Sequence, residues 1–154
     1  MNTLESEDYV AKLVERLSRL TADSRRQWGR MSCPQMVCHL ADAFRGPLGE
    51  RPPSAPRDTW VTRTLVKWIA LGTPLPWPRG RARTTPEIDQ VAGCGTPPGD
   101  FGEDVAALVD LMKRFRSQDT SRRPPHAIFG RLSAREWRRW GWAHVDHHLR
   151  QFDV

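Results

Sequence analysis

Apolar residues recur at helical spacing in four stretches of the chain, separated by polar or Pro- and Gly-rich links. In the first, from about Thr3 to Leu20, Val10, Leu13, Val14, Leu17 and Leu20 line one side. Glu7, Asp8, Glu15, Arg16 and Arg19 cover the others, with early acids and late arginines that suit a helix dipole. The second opens at Ser32, where Ser32 and Gln35 form the reciprocal pair that satisfies the first free amides of a helix. Pro34 is tolerated there, in a first turn where its missing amide has no partner to lose. This helix runs through QMVCHLADAF and is expected to stop near Gly46-Pro47. The third opens at Asp100 with Glu103 three residues on, and Val105, Leu108, Val109, Leu111, Met112 and Phe115 form its apolar face. The last, Ser133 to Phe152, begins with another such pair, Ser133 and Glu136.

Between the second and third lies a long crossover, Pro47 to Gly99. It contains one expected helix, Thr59 to Leu71, with Val61, Leu65, Trp68 and Ile69 on one face. The following PLPWPRGRARTTPEIDQVAGCGTPPG is expected to hold no regular structure, because Pro removes donors and Gly relaxes the backbone. A connection this long is usually functional or covers something, and it reads as a lid or flank. Four amphipathic helices with short, long and medium links predict an all-α fold. The arrangement is an up-down-down-up four-helix bundle in a single domain, 1–154, with an extra helix in the crossover between helices two and three.

The last helix carries the candidate chemistry. At about 100° per residue, His144 and His148 fall about 20° either side of Trp137, flanked by Trp140, Gly141, Gln151 and Phe152. Arg139, Asp146 and Arg150 fall on the opposite face. Two imidazoles in a buried stripe need partners, since an unsatisfied polar group there costs roughly 1–3 kcal/mol. A divalent metal satisfies both at once; hydrogen bonds to other core groups are the plain alternative. His39 shares a face with Gln35, Met36 and Ala43, and is expected to be partly buried beside a cavity mouth.

His39 lies ~9 Å from the start of its helix, and His148 and His144 lie ~6 and ~12 Å from the end of theirs, at ~1.5 Å rise per residue. Antiparallel packing therefore brings the three to one level. Three neutral nitrogens would leave coordination positions open, as in catalytic zinc sites. Asp42 is the candidate catalytic base or supporting carboxylate; a solvated helix carboxylate is the alternative reading. Gln35, Met36, Trp137, Trp140 and Gln151 are expected around the pocket, although Gln151 also reads as helix-end packing. His147, some 80° round from the stripe, is expected at the surface or flank. His126, in PPHAIFG, is expected to cap a turn. Cys33 and Cys38 point apart and Cys94 lies in a Gly-rich loop, so a thiolate zinc site is not expected.

Composition narrows the setting. The 154 residues are 38 % hydrophobic and 27 % charged, enough for one domain with a sizeable core. No run approaches the ~18 apolar residues of a membrane span. The N-terminal MNTLESEDYV lacks the basic-then-apolar pattern of a signal peptide, and three cysteines argue against a disulfide framework, so a cytoplasmic location is expected. A net charge of +6 raises nucleic acid or an acidic membrane surface as partners. The arginines are scattered, however, with one dense cluster at Arg79, Arg81 and Arg83, so no membrane partner is expected and nucleic acid is the weakest alternative. The sequence contains no nucleophile elbow, phosphate loop or dinucleotide fingerprint.

His39 in QMVCHLADAF and the terminal HVDHHLRQ resemble the three-histidine signature of the DinB-like superfamily. PWPRG, TPEIDQV, GTPPGDF and HAIFGRLSAREWRRWGWAHVDHHLRQF resemble one uncharacterised branch of it, over nearly the entire chain. The resemblance implies a metal-binding four-helix bundle with a zinc- or nickel-type ion on His39, His144 and His148. It also implies a homodimer, and a metal-dependent hydrolase or thiol-dependent transferase acting on a small molecule. In the transferase case a low-molecular-weight thiol joins as a cofactor. The usual ending of the motif, His-His-Arg-Gly-Gln, is replaced here by Leu149 and Arg150 before Gln151, so no thiol-binding role passes to that arginine. The alternatives are a metal-binding stress-response protein without turnover, or an arginine-mediated nucleic-acid binder.

Overall fold

The long apolar stripes become helices because each has a start signal and an apolar side to bury. In the computed structural model, which describes residues 1–80 and 84–154, the chain is all-α. The described residues form five α-helices: α1 Glu7–Leu17, α2 Cys33–Leu48, α3 Lys67–Gly72, α4 Phe101–Ser117 and α5 Ala134–Gln151. Both α2 and α5 begin with complete reciprocal caps, Ser32 with Gln35 and Ser133 with Glu136. On α4 the Asp100 carboxylate accepts the Glu103 amide, which satisfies one of the free donors.

Several boundaries differ from expectation. The first helix is shorter than Thr3 to Leu20, starting only at Glu7. The segment before it is drawn across the molecule, with the Leu4 amide bonded to the Arg138 carbonyl at 3.1 Å. Helix α2 passes Gly46-Pro47 and ends at Gly49, whose φ of 81° supplies the left-handed cap; Pro47 sits in its last turns. In the crossover, a π-helical stretch, Thr62–Val66, precedes α3. Two short 3₁₀ turns, Pro86–Ile88 and Gln90–Ala92, occupy a region expected to be irregular. Arg81 and Arg83 of the basic cluster lie outside the described residues, while Arg79 stacks over the Trp28 ring at 4.7 Å.

Relative direction follows from a few contacts. Leu4 lies beside Arg138, and Arg16 pairs with Asp146 at 2.7 Å, so α1 runs along α5 in the same sense. Cys38 lies 3.5 Å from Asp104, and Phe44 meets Phe115 edge-on at 4.9 Å, so α2 and α4 run together. His39 faces His148 and Phe44 faces Trp140, so α2 opposes α5. The three aromatics Phe44, Phe115 and Trp140 are buried at this centre. Each stabilises by roughly 1.5–3 kcal/mol through area alone. Gly141 makes the approach possible: a Cβ there would stand 2.6 Å from a Leu4 methyl and 3.2–3.3 Å from the Phe44 and Phe115 rings.

A buried ionic latch ties the crossover to α2. The Asp42 carboxylate accepts the Thr96 amide at 2.7 Å and its hydroxyl at 2.8 Å, and pairs with Arg45 at 2.9 Å and Arg51 at 2.8 Å. Gly95, at φ 104°, gives Thr96 this approach; a Cβ there would lie 2.9 Å from the Asp42 carboxylate. Among the described residues, no helix is long and apolar enough to cross a membrane.

Candidate metal centre

One turn of α5 separates His144 from His148, and α2 brings His39 between them. The three ring centroids stand 5.3, 4.9 and 5.0 Å apart, nearly an equilateral triangle. The Nε2 atoms of His39 and His144 are 3.3 Å apart, and one nitrogen from each of the three rings lies within 4.8 Å of the others. His39 and His148 are buried, and His144 is partly so. The expectation of a partly buried His39 therefore falls short, because the Pro86–Asp89 segment folds down over it.

The outer nitrogens set the inner ones. His39 Nδ1 is 3.1 Å from the Ile88 carbonyl, which only accepts, so Nδ1 carries the proton and Nε2 a lone pair. The Gln151 amide donates to the Trp28 carbonyl at 2.6 Å, which turns its Oε1 to His148 Nδ1 at 3.0 Å. His148 must then donate from Nδ1, leaving the lone pair on its Nε2. Gly29, at φ 81°, makes room for Gln151, since any side chain there would run into that amide. His144 Nδ1 is buried with no hydrogen-bond partner among the described residues.

Burial holds all three imidazoles below their ordinary pKa. For His39 the Ile88 carbonyl, Asp42 and Asp89 oppose that effect. For His144 and His148, neighbouring histidines add to it and push both well down. The result favours three neutral rings with Nε2 lone pairs on His39 and His148, where either the Nε2–H of His144 donates to His39 at 3.3 Å or a cation takes that proton's place. Zinc with Zn–N distances of ~2.05 Å in a tetrahedron spaces its nitrogens about 3.3 Å apart, the separation His39 and His144 already have. The donor set and its outer bonds thus fit a borderline-soft divalent ion. Metal-ligating histidines characteristically donate their second N–H in just this way.

The other expected residues are distributed unevenly. Trp140 flanks His144, with centroids 5.2 Å apart, and Gln151 touches His148. Trp137 instead packs deeper, against Phe115, Trp140 and His126. Met36 is core, while Gln35 completes the α2 cap and donates to the Gln90 carbonyl at 3.2 Å. Asp42 is the main correction to a proposed base: all its acceptor capacity faces Thr96, Arg45 and Arg51. Burial alone would raise its pKa, but the Thr96 bonds and the two guanidiniums hold it below the ordinary value. An ion-paired carboxylate of that kind makes a poor base.

His126 does cap a turn, its Nδ1 accepting the amides of Ile128 and Phe129 at 3.1 and 3.2 Å. His147 is buried, between Trp28 and Trp77, rather than on the surface. Arg139, expected on the outer face, is buried and donates to the carbonyls of Asn2 and Thr73.

Three participants escaped the sequence reading. The Ile88 and Trp28 carbonyls are backbone groups with no residue signature. Trp77 lies over His144 and His147, with centroids 5.9 and 6.0 Å away, anchored by its indole N–H on the Ala70 carbonyl at 3.0 Å. A single large aromatic in a Pro-rich crossover was the available signal for it.

A family model described as "Protein of unknown function (DUF1569)" matches residues 2–154. The chain belongs to that family. Among curated proteins and among solved structures, none matches it. The three histidines are therefore the chain's own evidence for chemistry within this family.

Proposed function

We propose that the chain holds one divalent transition ion, zinc or nickel, on His39, His144 and His148, and acts with it on a small molecule as a hydrolase or thiol-dependent transferase. The carrying observation is the pair of outer hydrogen bonds, from His39 to Ile88 and from His148 to Gln151, which leave Nε2 lone pairs on two of three rings that each place a nitrogen within 4.8 Å of the others. Such an ion, when bound, supplies Lewis acidity toward a water, carbonyl or thiol. The chain's own groups do the rest. Ile88 and Gln151 fix the tautomers, Trp140 and Trp77 form apolar walls around His144, and the partly open edge of His144 is the approach for a substrate.

The up-down-down-up four-helix bundle of DinB-like proteins belongs to the same proposal. It is supported by α1 running with α5, α2 running with α4, and α2 opposing α5. One observation favours a second reading, metal binding without turnover: Trp77 lies over the one ligand ring that is partly open. Reactions of metal-loaded protein with activated esters, amides and thiol–electrophile pairs separate the two. Turnover abolished by His144→Ala supports the enzyme. Metal bound in full with no reaction across the panel supports the binding role.

A further inference from the structure

Two pieces of the crossover cover the three histidines, and they are held very differently. Over His39, the segment 86–92 is bonded in place: Gln35 donates to the Gln90 carbonyl, Gln90 to the Thr96 carbonyl, and Thr96 to the buried Asp42. His148 is buried too, so the partly open edge of His144 is the side left to an incoming ion. Trp77 lies over that ring, with centroids 5.9 Å apart. Entry therefore requires a cover to move, and the Trp77 cover has the fewer ties.

Its sequence suits motion as a unit. Pro74, Pro76 and Pro78 alternate, each fixing φ and lacking an amide donor, which makes a stiff arm with little to offer a neighbouring backbone. Among the described residues, no backbone–backbone hydrogen bond joins residues 74–80 to the rest of the chain. The root is fixed, since the buried Arg139 donates to the Thr73 carbonyl at 3.1 Å and the Thr73 hydroxyl to the Ile69 carbonyl at 2.7 Å. Beyond that root, Trp77 is the one residue as far as Gly80 that is not exposed. Its indole N–H donates to the Ala70 carbonyl, and the His147 ring faces its backbone carbonyl. The far end is held by the exposed Arg79, whose guanidinium lies 4.7 Å over the Trp28 ring. Trp28 is a fixed post: the Gln27 amide donates to the Gln151 carbonyl at 2.7 Å, and the Gln151 side chain donates back to the Trp28 carbonyl at 2.6 Å.

We propose that residues 74–80 are a gate to the histidines. The arm swings about its Thr73 root, Arg79 on Trp28 is the latch, and Trp77 is the stopper over His144. What the gate admits, a divalent ion and then a small molecule, rests on the metal reading above. The motion does not.

The test is the rate at which diethyl pyrocarbonate modifies each histidine of the metal-free full chain, read by peptide mass spectrometry. Arg79 packs on Trp28 rather than on a histidine, so a moving arm is what carries its loss to His144. In Arg79→Ala the modification of His144 should rise about two- to fivefold, the loss of one exposed cation–π contact, and Arg79→Lys should return it toward the wild-type rate. Trp77→Ala, which removes the stopper, should raise it further. His126, capped in its own turn, should not change. A second measurement uses zinc alone: a chelator should strip loaded Arg79→Ala faster than wild type, with the equilibrium affinity changed less than the rate because entry speeds as well. An unchanged His144 rate in Arg79→Ala overturns the gate, and so does a rise that His126 shares, which marks general loosening. A chain that holds no zinc yet shows the His144 effect overturns the metal reading and supports the gate.

Discussion

His39 and Asp42 stand three residues apart on α2, both polar and both buried, and the structure uses them in opposite ways. Asp42 is saturated, every lone pair answered by Thr96, Arg45 or Arg51, and its role is to hold the crossover down. His39 and its partners on α5 instead turn toward one another, with the Nε2 atoms of His39 and His144 3.3 Å apart and His144 Nδ1 unpaired among the described residues. A buried group whose bonds are complete is architecture. One held neutral, oriented and incompletely bonded is a candidate ligand site.

Removing the saturated side should cost most. Asp42→Ala leaves Arg45 and Arg51 facing a hole and releases Thr96, for an expected loss of 3 kcal/mol or more, at about the lower end for breaking a buried pair. Urea denaturation measures it. A loss under about 1 kcal/mol would mean that the latch is ornamental and that the contrast fails.

Acid should separate the two regions by pH window. An unfolded histidine takes up its proton near 6.5, while burial holds His126, packed beside Trp140, down to about 4. The unfolded state therefore binds more protons as pH falls from 6.5 to 4, and stability declines through that interval by roughly 3 kcal/mol from His126 alone. Asp42 loses stability in the same direction but in a lower window. Its folded pKa lies below the ordinary 3.8, so its contribution is complete above 3.8 and is lost only as pH falls further. Denaturation midpoints across pH 7 to 3 should show the first decline reduced in His126→Gln, with the other buried histidines carrying the rest, and the second reduced in Asp42→Asn.

The mildest substitution sharpens the unsaturated side. Gln151→Ala removes the acceptor that fixes His148 while leaving all three histidines in place. Metal affinity should fall about 10–100-fold, the usual effect of losing a hydrogen bond to a ligating imidazole. Competition with a chromogenic chelator reads it, and an unchanged affinity would detach Gln151 from the site.

What the sequence disclosed and what it hid follow the same division. Caps are local, so Ser32 with Gln35 and Ser133 with Glu136 announced where the two histidine-bearing helices begin. The i, i+4 spacing of His144 and His148 and the depth of His39 along its helix were equally readable, because helical rise is fixed. Asp42 was misjudged since its partners Arg51 and Thr96 lie on a crossover with no periodic pattern. Arg139 was placed outside since nothing local reveals the carbonyls of Asn2 and Thr73 waiting for it. The helix at Thr59 to Leu71 was legible as an element, but an apolar face does not say whether it turns inward, and this one turns out.

The most direct test is metal content by inductively coupled plasma mass spectrometry after equilibration with zinc or nickel and removal of excess ion. Wild-type protein should retain about one ion per chain, as a single three-histidine site requires. His39→Ala, His144→Ala and His148→Ala, each still helical by circular dichroism, should retain none. A wild-type chain that keeps no ion, or variants that keep as much as wild type, would contradict the account.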